Sequence, residues 1–341
     1  MNWYPVELHT HTQHSDGDFS VRALVEAAQR RGFAAIACTD HNTVSGLPEL
    51  TVEAEQNELV PIPGIEWTTY WGHMLVLGEQ GYTDWRGIKP SDIDQAITAI
   101  HANHGLVGIA HPLAISSPVK TGYHWEFLVN DWDAVDFMEV WSRDRAPVKV
   151  QSYRAVQLWE QLLNRGCHIT ATSGRDWHRE DRLPYAHTYI GTDGILSTEN
   201  IFTAIRQGCV CLSTGPLLTM KGRQGNVTLD IGDTAVPGSL EITWALQAET
   251  MQQDWDASQI VPEEVHLIHN GEVIYRCSLP DHQPVTAAVS EGWLRADLIG
   301  RFYEKERQII ALTNPIFIQS DAEYRLSSRD CCRNRPKSAI H

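Results

Sequence analysis

Nothing in this sequence approaches the roughly 20-residue apolar run of a membrane-spanning helix. Positive charge is scarce: 27 Lys and Arg stand against 43 Asp and Glu, a formal net charge of −16. So acidic a chain has no general attraction for an anionic membrane or for the phosphate backbone of nucleic acid, which argues against either as a partner. The seven cysteines are odd in number and include no Cys-x-x-Cys pair. Neither a disulfide framework nor a zinc knuckle organises the fold, and Cys38 and Cys167 read as small core residues. Met1-Asn2-Trp3-Tyr4-Pro5 has neither the basic region nor the apolar stretch of a leader. The compartment read from these features is reducing and cytoplasmic.

With 341 residues, 42% hydrophobic and 21% charged, the chain suits a large globular domain with a smaller appendage. Up to residue 215, strand and helix patterns alternate. Apolar strands are read over 5–9, 33–38, 59–67, 74–77, 106–110, 134–140, 168–172, 187–190 and 209–212. Helical spacing is read over 43–57, 93–105, 148–164 and 198–207, and at Val21, Leu24, Val25 and Ala28 behind a capping Ser20. About seven β/α units of this kind predict a parallel sheet closed, or nearly closed, into a distorted (β/α)7-type barrel. The pattern changes at Ser213-Thr214-Gly215-Pro216. Beyond it only short strands and turns are read, with Asn270-Gly271 as the sharpest hairpin signal. The fold class is thus α/β, with the barrel over 1–215, a small all-β, sandwich-like domain over 216–324 and a disordered tail over 325–341. The stretch 112–130, rich in Ser, Pro, Gly and aromatics, is a candidate lid.

The chemistry gathers where apolar strands end. His9 and His11 are two apart, so on a strand both imidazoles point to one side and reach one ion. Asp16 follows in a Ser-Asp-Gly sequence that is also an ordinary turn. Asp40 and His41 follow the strand at 33–38, and Glu66 ends the next. His73 opens a further strand, His111 follows another, and Asp176 and His178 again stand two apart. In an α/β barrel such ends share one face. Six histidines and three carboxylates on one rim have no good structural explanation, and their chemistry suits Zn, Mn or Fe. His73 is read either as a ligand or as a hydrogen-bonded histidine beneath the site.

The motifs His9-Thr10-His11, Ser15-Asp16-Gly17, Thr39-Asp40-His41, Glu66, His111-Pro112 and Asp176-Trp177-His178 run in order from residue 8 to residue 178. In this the chain resembles the PHP (polymerase and histidinol phosphatase) superfamily. Gly72-His73 and Ser213-Thr214-Gly215-Pro216 resemble its CehA/McbA-type metallohydrolases. The resemblance implies a distorted PHP barrel holding two or three divalent ions. His9, His11, Glu66 and Asp176 would hold the first. Glu66 would bridge to a second, held by His73 and His111, and Asp16, His41 and His178 would hold a third. Arg175 and the bulky Trp177 depart from the family pattern.

The reaction so implied is metal-assisted hydrolysis, with water held between two ions as a hydroxide nucleophile. The leading expectation is a phosphoesterase acting on a small phosphate ester. Arg143 and Arg175 would then clamp the phosphate, or else form rim salt bridges. His178, His187 or Asp40 would assist the leaving oxygen, unless Asp40 only orients His41. The same centre would also hydrolyse a carboxyl or carbamate ester in an apolar pocket, with Trp67, Trp71, Trp125, Trp141 and Trp177 as wall or as core. A third reading is a non-catalytic, metal-binding accessory domain, whose sign would be missing ligands; here every ligand position is filled.

Overall fold

A computed structural model of the chain describes residues 1–115, 122–247, 251, 256–281 and 283–320. The tail predicted at 325–341 and part of the candidate lid, 116–121, lie outside the described residues.

The N-terminal region runs β1 (Asn2–Glu7), α1 (Val21–Arg31), β2 (Ala35–Cys38), α2 (Leu47–Gln56), β3 (Val60–Thr69), β4 (Gly72–Leu77), α3 (Ile93–Ala102), β5 (Leu106–Ile109), β6 (Phe137–Ser142), α4 (Val150–Asn164), β7 (Thr170–Gly174), β8 (His187–Thr192), α5 (Thr198–Gln207) and β9 (Val210–Ser213). Local chemistry sets several ends. Ser20 accepts from Ala23 N at the start of α1, and Ser197 accepts from Asn200 N at the start of α5. Gly32 and Gly208 end those helices in the left-handed conformation. The helix expected over 43–57 begins only at Leu47, because Pro48 suits a first turn and the preceding residues form a turn instead.

The strands lie in the order β9-β8-β1-β2-β3-β4-β5-β6-β7. The all-parallel barrel is corrected by their directions. The pairs β1–β2, β2–β3, β5–β6 and β6–β7 are parallel, whereas β3–β4, β4–β5, β1–β8 and β8–β9 are antiparallel. β3 and β4 form a hairpin that turns at Tyr70-Trp71, too tightly for a crossover helix.

No ladder joins β7 to β8 or β9 among the described residues; side chains span that seam. Ser173 N donates to Thr188 Oγ1 (2.9 Å), and the Thr188 hydroxyl donates to Ser173 O (2.9 Å). Asn314 Oδ1 accepts from Ala171 N (2.7 Å), while its Nδ2 donates to Ala171 O (2.9 Å) and Val210 O (3.0 Å). The helices pack outside, α1 and α2 on each other, α3 on β5, α4 on β6 and α5 on β8.

The C-terminal region contains β10 (Leu217–Gln224), β11 (Val227–Asp230), β12 (Thr234–Ala235), β13 (Gly238–Gln247), β14 (Ile260–His269), β15 (Glu272–Ser278), β16 (Val285–Val289), β17 (Gly292–Phe302), β18 (Lys305–Thr313) and β19 (Ile316–Ile318). One sheet runs β11-β10-β13-β16. The other, built on β17, continues the N-terminal sheet, because β18 pairs antiparallel with β9. The hairpin predicted at Asn270-Gly271 is present between β14 and β15, both residues having positive φ. No helix among the described residues is long and apolar enough to cross a membrane.

Candidate metal centre

Backbone bonds tie the motif-bearing segments together at one end of the N-terminal sheet. His11 N donates to Trp177 O (2.9 Å) and Trp177 N to His9 O (3.1 Å). Thr39 N donates to Thr10 O (3.0 Å), and Asn42 N to Glu66 O (2.9 Å). Gly17 folds back on this platform, where any Cβ would stand 2.3 Å from His11 O.

Glu66, wholly buried on β3, occupies the centre. Its Oε1 lies 3.3 Å from His9 Nε2, 3.0 Å from His73 Nδ1 and 3.3 Å from His111 Nε2. Its Oε2 lies 2.7 Å from His41 Nδ1 and 3.5 Å from His11 Nε2. Asp176 is the second focus, with Oδ1 at 3.5 Å from His9 Nε2, 3.2 Å from His11 Nε2 and 3.4 Å from His178 Nδ1. At the solvent side, Asp16 Oδ1 lies 3.4 Å from His41 Nε2 and 3.1 Å from His178 Nε2. All nine side chains read from the sequence as metal ligands are therefore brought together.

Burial alone would raise the pKa of Glu66. The charges of His9 and His73 and the bonds from His111 and His41 outweigh it and hold Glu66 well below the carboxylate range. Asp176 is held down in the same way, against its own burial, by His9, His11 and Arg143. His9 is also penalised by burial, but Glu139, Glu66 and Asp176 raise it well above an ordinary imidazole.

Divalent ions fit this nest. His9 Nε2, both ring nitrogens of His11, His73 Nε2 and His111 Nδ1 are buried without a partner of hydrogen-bond geometry among the described residues. Each such atom costs about 1–3 kcal/mol, so a cluster of them calls for cations. Donor atoms converge within 4.8 Å in the overlapping groups His9/His11/Asp176, His9/Glu66/His111, His41/Glu66/His73 and His11/Asp16/His41/His178.

The residues read as catalytic fare differently. Arg143 Nε donates to Asp176 Oδ2 (2.8 Å), its guanidinium lies 4.8 Å from the Tyr123 ring, and it remains 31% exposed. Arg175 does not reach the rim. It is 2% exposed, stacked 4.2 Å from Trp177 and 3.9 Å from Tyr185, and bonded to Asp181 Oδ1 (3.2 Å). Burial lowers its pKa, and a guanidinium so enclosed cannot clamp an anion arriving from solvent.

Asp40 is no proton donor either. It accepts from Thr12 N (2.7 Å), Thr12 Oγ1 (2.7 Å), Ser15 Oγ (2.6 Å) and Cys38 Sγ (3.1 Å). These bonds outweigh burial and keep it ionised. His187 is buried at the start of β8, edge-on to Phe33 at 5.4 Å, and belongs to none of the converging groups. His178 is the one proposed proton carrier at the solvent side, one quarter exposed.

Three contributors escaped the sequence reading. Glu139, in the middle of β6, accepts from His9 Nδ1 (2.7 Å) and from His111 N (2.8 Å). Glu7 accepts from His9 N (3.0 Å) and Arg175 N (3.1 Å), and burial pushes its pKa up to about 7. Tyr123 stacks on His111 at 5.1 Å. The available signal for the two acids was a lone Glu inside an apolar strand, which must find a partner when buried.

Fold and side chains together define an α/β protein with a histidine–carboxylate centre suited to divalent ions. Residues 7–110 match the PHP domain family. Over 77 residues the chain is 31% identical to the 3',5'-nucleoside bisphosphate phosphatase of Chromobacterium violaceum, covering 21% of this chain and 27% of that one. A 5'-3' exoribonuclease of Haemophilus influenzae is 35% identical over 65 residues, 19% of this chain and 24% of the relative. An error-prone DNA polymerase of Symbiobacterium thermophilum is 35% identical over 101 residues, 28% of this chain and 9% of the relative. The chain thus matches about a quarter or less of each relative's length. A solved two-domain protein of Bacteroides vulgatus, described as containing a predicted PHP-like metal-dependent phosphoesterase, superposes with a TM-score of 0.52. That likeness covers 92% of this chain and 95% of the other at 15% identity, and speaks to the fold.

Proposed function

We propose that this chain is a metal-dependent phosphoesterase that hydrolyses a small phosphate ester. The observation that carries the reading is the convergence of six imidazoles on Glu66 and Asp176, with buried ring nitrogens left unpartnered. The family resemblance divides two or three ions among these side chains. His9, His11, Glu66 and Asp176 would hold one, Glu66, His73 and His111 a second, and Asp16, His41 and His178 a third. When bound, Zn, Mn or Fe supplies a nucleophile at neutral pH and absorbs the charge developing on phosphoryl oxygens.

The chain's own groups complete the site. Arg143 neutralises Asp176 Oδ2 and leaves Oδ1 facing the histidines. Its partly exposed guanidinium is the cation available to a phosphoryl oxygen. His178, partly exposed beside Asp16, is placed to deliver a proton to the leaving oxygen if its ring is not taken up by an ion. The acidic surface disfavours a long polyanion and favours a small ester. The non-catalytic alternative would need gaps among the motif positions, and in the sequence each of them is filled. The CehA/McbA-type resemblance keeps a carboxyl or carbamate ester as the competing substrate.

One purified preparation, with its metal content measured, decides among these readings when assayed on phosphomonoesters, phosphodiesters and aryl esters. Phosphate release that stops on chelation and returns with Mn(II) or Zn(II) is the expected result. Turnover of aryl esters alone would transfer the assignment to the carboxyl ester class. Two or more bound ions with no turnover would overturn the enzyme reading.

A further inference from the structure

Glu139 touches two ion-binding residues by different means. Its side chain is 1% exposed and stands behind the nest, on the far side of His9 from Glu66 and Asp176. Oε1 accepts from His9 Nδ1 at 2.7 Å. A carboxylate only accepts, so a ring proton sits on Nδ1, and Nε2, which faces the two central carboxylates, is the nitrogen left for an ion. Oε2 accepts from His111 N at 2.8 Å. His111 has φ of 28°, a left-handed conformation that needs outside support in a residue with a Cβ.

Space for this carboxylate is made by the neighbouring strand. At Gly174, the last residue of β7, a Cβ would fall 1.7 Å from Glu139 Oε1. Gly174 is two residues from Asp176, so the strand that delivers this ligand is also the one that leaves room for Glu139.

We propose that Glu139 is a positioning residue that sets the first and second ion sites together. It would fix the tautomer of His9 for the first and the backbone of His111 for the second. This rests on the metal reading above. An amide at 139 cannot replace the acid, because its single oxygen accepts on one side only while its NH2 meets a donor on the other. Glu139→Gln therefore sacrifices either the His9 bond or the His111 bond. Gly174→Ala displaces the carboxylate without removing it.

The test is a competitive chelator titration of the full-length chain with Zn(II), on wild type, Glu139→Gln and Gly174→Ala. It is combined with 15N NMR of the histidine rings in the Zn-loaded wild type. Loss of such an outer partner typically costs 10–100-fold in metal affinity. Glu139→Gln is expected to weaken at least one of the two tightest Zn(II) equivalents by that factor and Gly174→Ala both of them, and the His9 Nδ1 proton is expected as a hydrogen-bonded resonance. A merely structural role would lower the melting temperature and leave Zn(II) affinity and the ring signature alone. Folded variants within twofold of wild type at both sites, or loss at one site only in Gly174→Ala, overturn the proposal. So does absence of the Nδ1 proton in the wild type, a readout that holds even where a variant does not fold. Wild type that binds no Zn(II) overturns the metal reading, and this inference with it.

Discussion

Thr12 donates to Asp40 twice, through its backbone N–H and its hydroxyl, each at 2.7 Å. The loop that carries His11 and Asp16 is thereby hung from the end of β2. Asp40→Ala leaves those buried donors without an acceptor, and a cost of about 1–3 kcal/mol is expected in urea denaturation. The loop should also release the ion nearest solvent, read as one fewer equivalent by elemental analysis.

Glu66 is shared by every ion the site would hold except the outermost. Glu66→Gln is expected to remove at least one equivalent and to abolish phosphate release. Wild type should melt at a lower temperature after chelation, since a ligand that binds only the folded state stabilises it by mass action. The variant's melting temperature should respond much less to the same treatment. Equal metal content in the two proteins would contradict the role given to Glu66.

Arg143 and Arg175 are expected to separate activity from stability. Arg143→Ala removes a rim cation beside Asp176 and should cost on the order of 10²-fold in kcat, as loss of a donor to developing negative charge does. Arg175→Met should instead lower stability, by loss of the Asp181 bond and of the stacking on Trp177 and Tyr185. Steady-state kinetics and a melting curve on each variant check both halves. A kinetic defect confined to Arg175→Met would reverse the assignment.

Asn314 carries the seam between β7 and β9. Asn314→Leu strips partners from Ala171 N and Ala171 O, at roughly 1–3 kcal/mol for each orphaned group. The expected loss is read from chemical denaturation.

The division at residue 215 is testable by truncation. β9 pairs with β18 and Asn314 bonds to Ala171 and Val210, so a chain ending at 215 loses both supports. It is expected to be insoluble or molten, with an exposed sheet edge. A soluble, cooperatively melting fragment 1–215 would establish the first region as an independent domain.

The candidate site was legible because its converging side chains come as short motifs placed where apolar strands stop, and each motif names its own residues. Glu139 and Glu7 were not, since a single acid inside Phe137-Met138-Glu139-Val140 or Val6-Glu7-Leu8 has no partner nearby in sequence. Arg175 was misjudged for a related reason. Trp177 is adjacent, but Tyr185 and Asp181, which complete its enclosure, come from the following loop. Strand positions were readable from apolar runs, strand directions were not. A buried strand reads alike whichever way it runs, so antiparallel β4 and β8 passed for members of a parallel barrel.

Asn314 stands 143 residues beyond Ala171 and 104 beyond Val210, the groups it binds. A chain leaving the ribosome N-terminus first therefore shows all nine candidate ligand side chains before the residue that locks their support exists. Closure over such separations is slow relative to local folding. On the proposed reading, selection between competing cations would fall to the completed cradle and not to the nascent polypeptide.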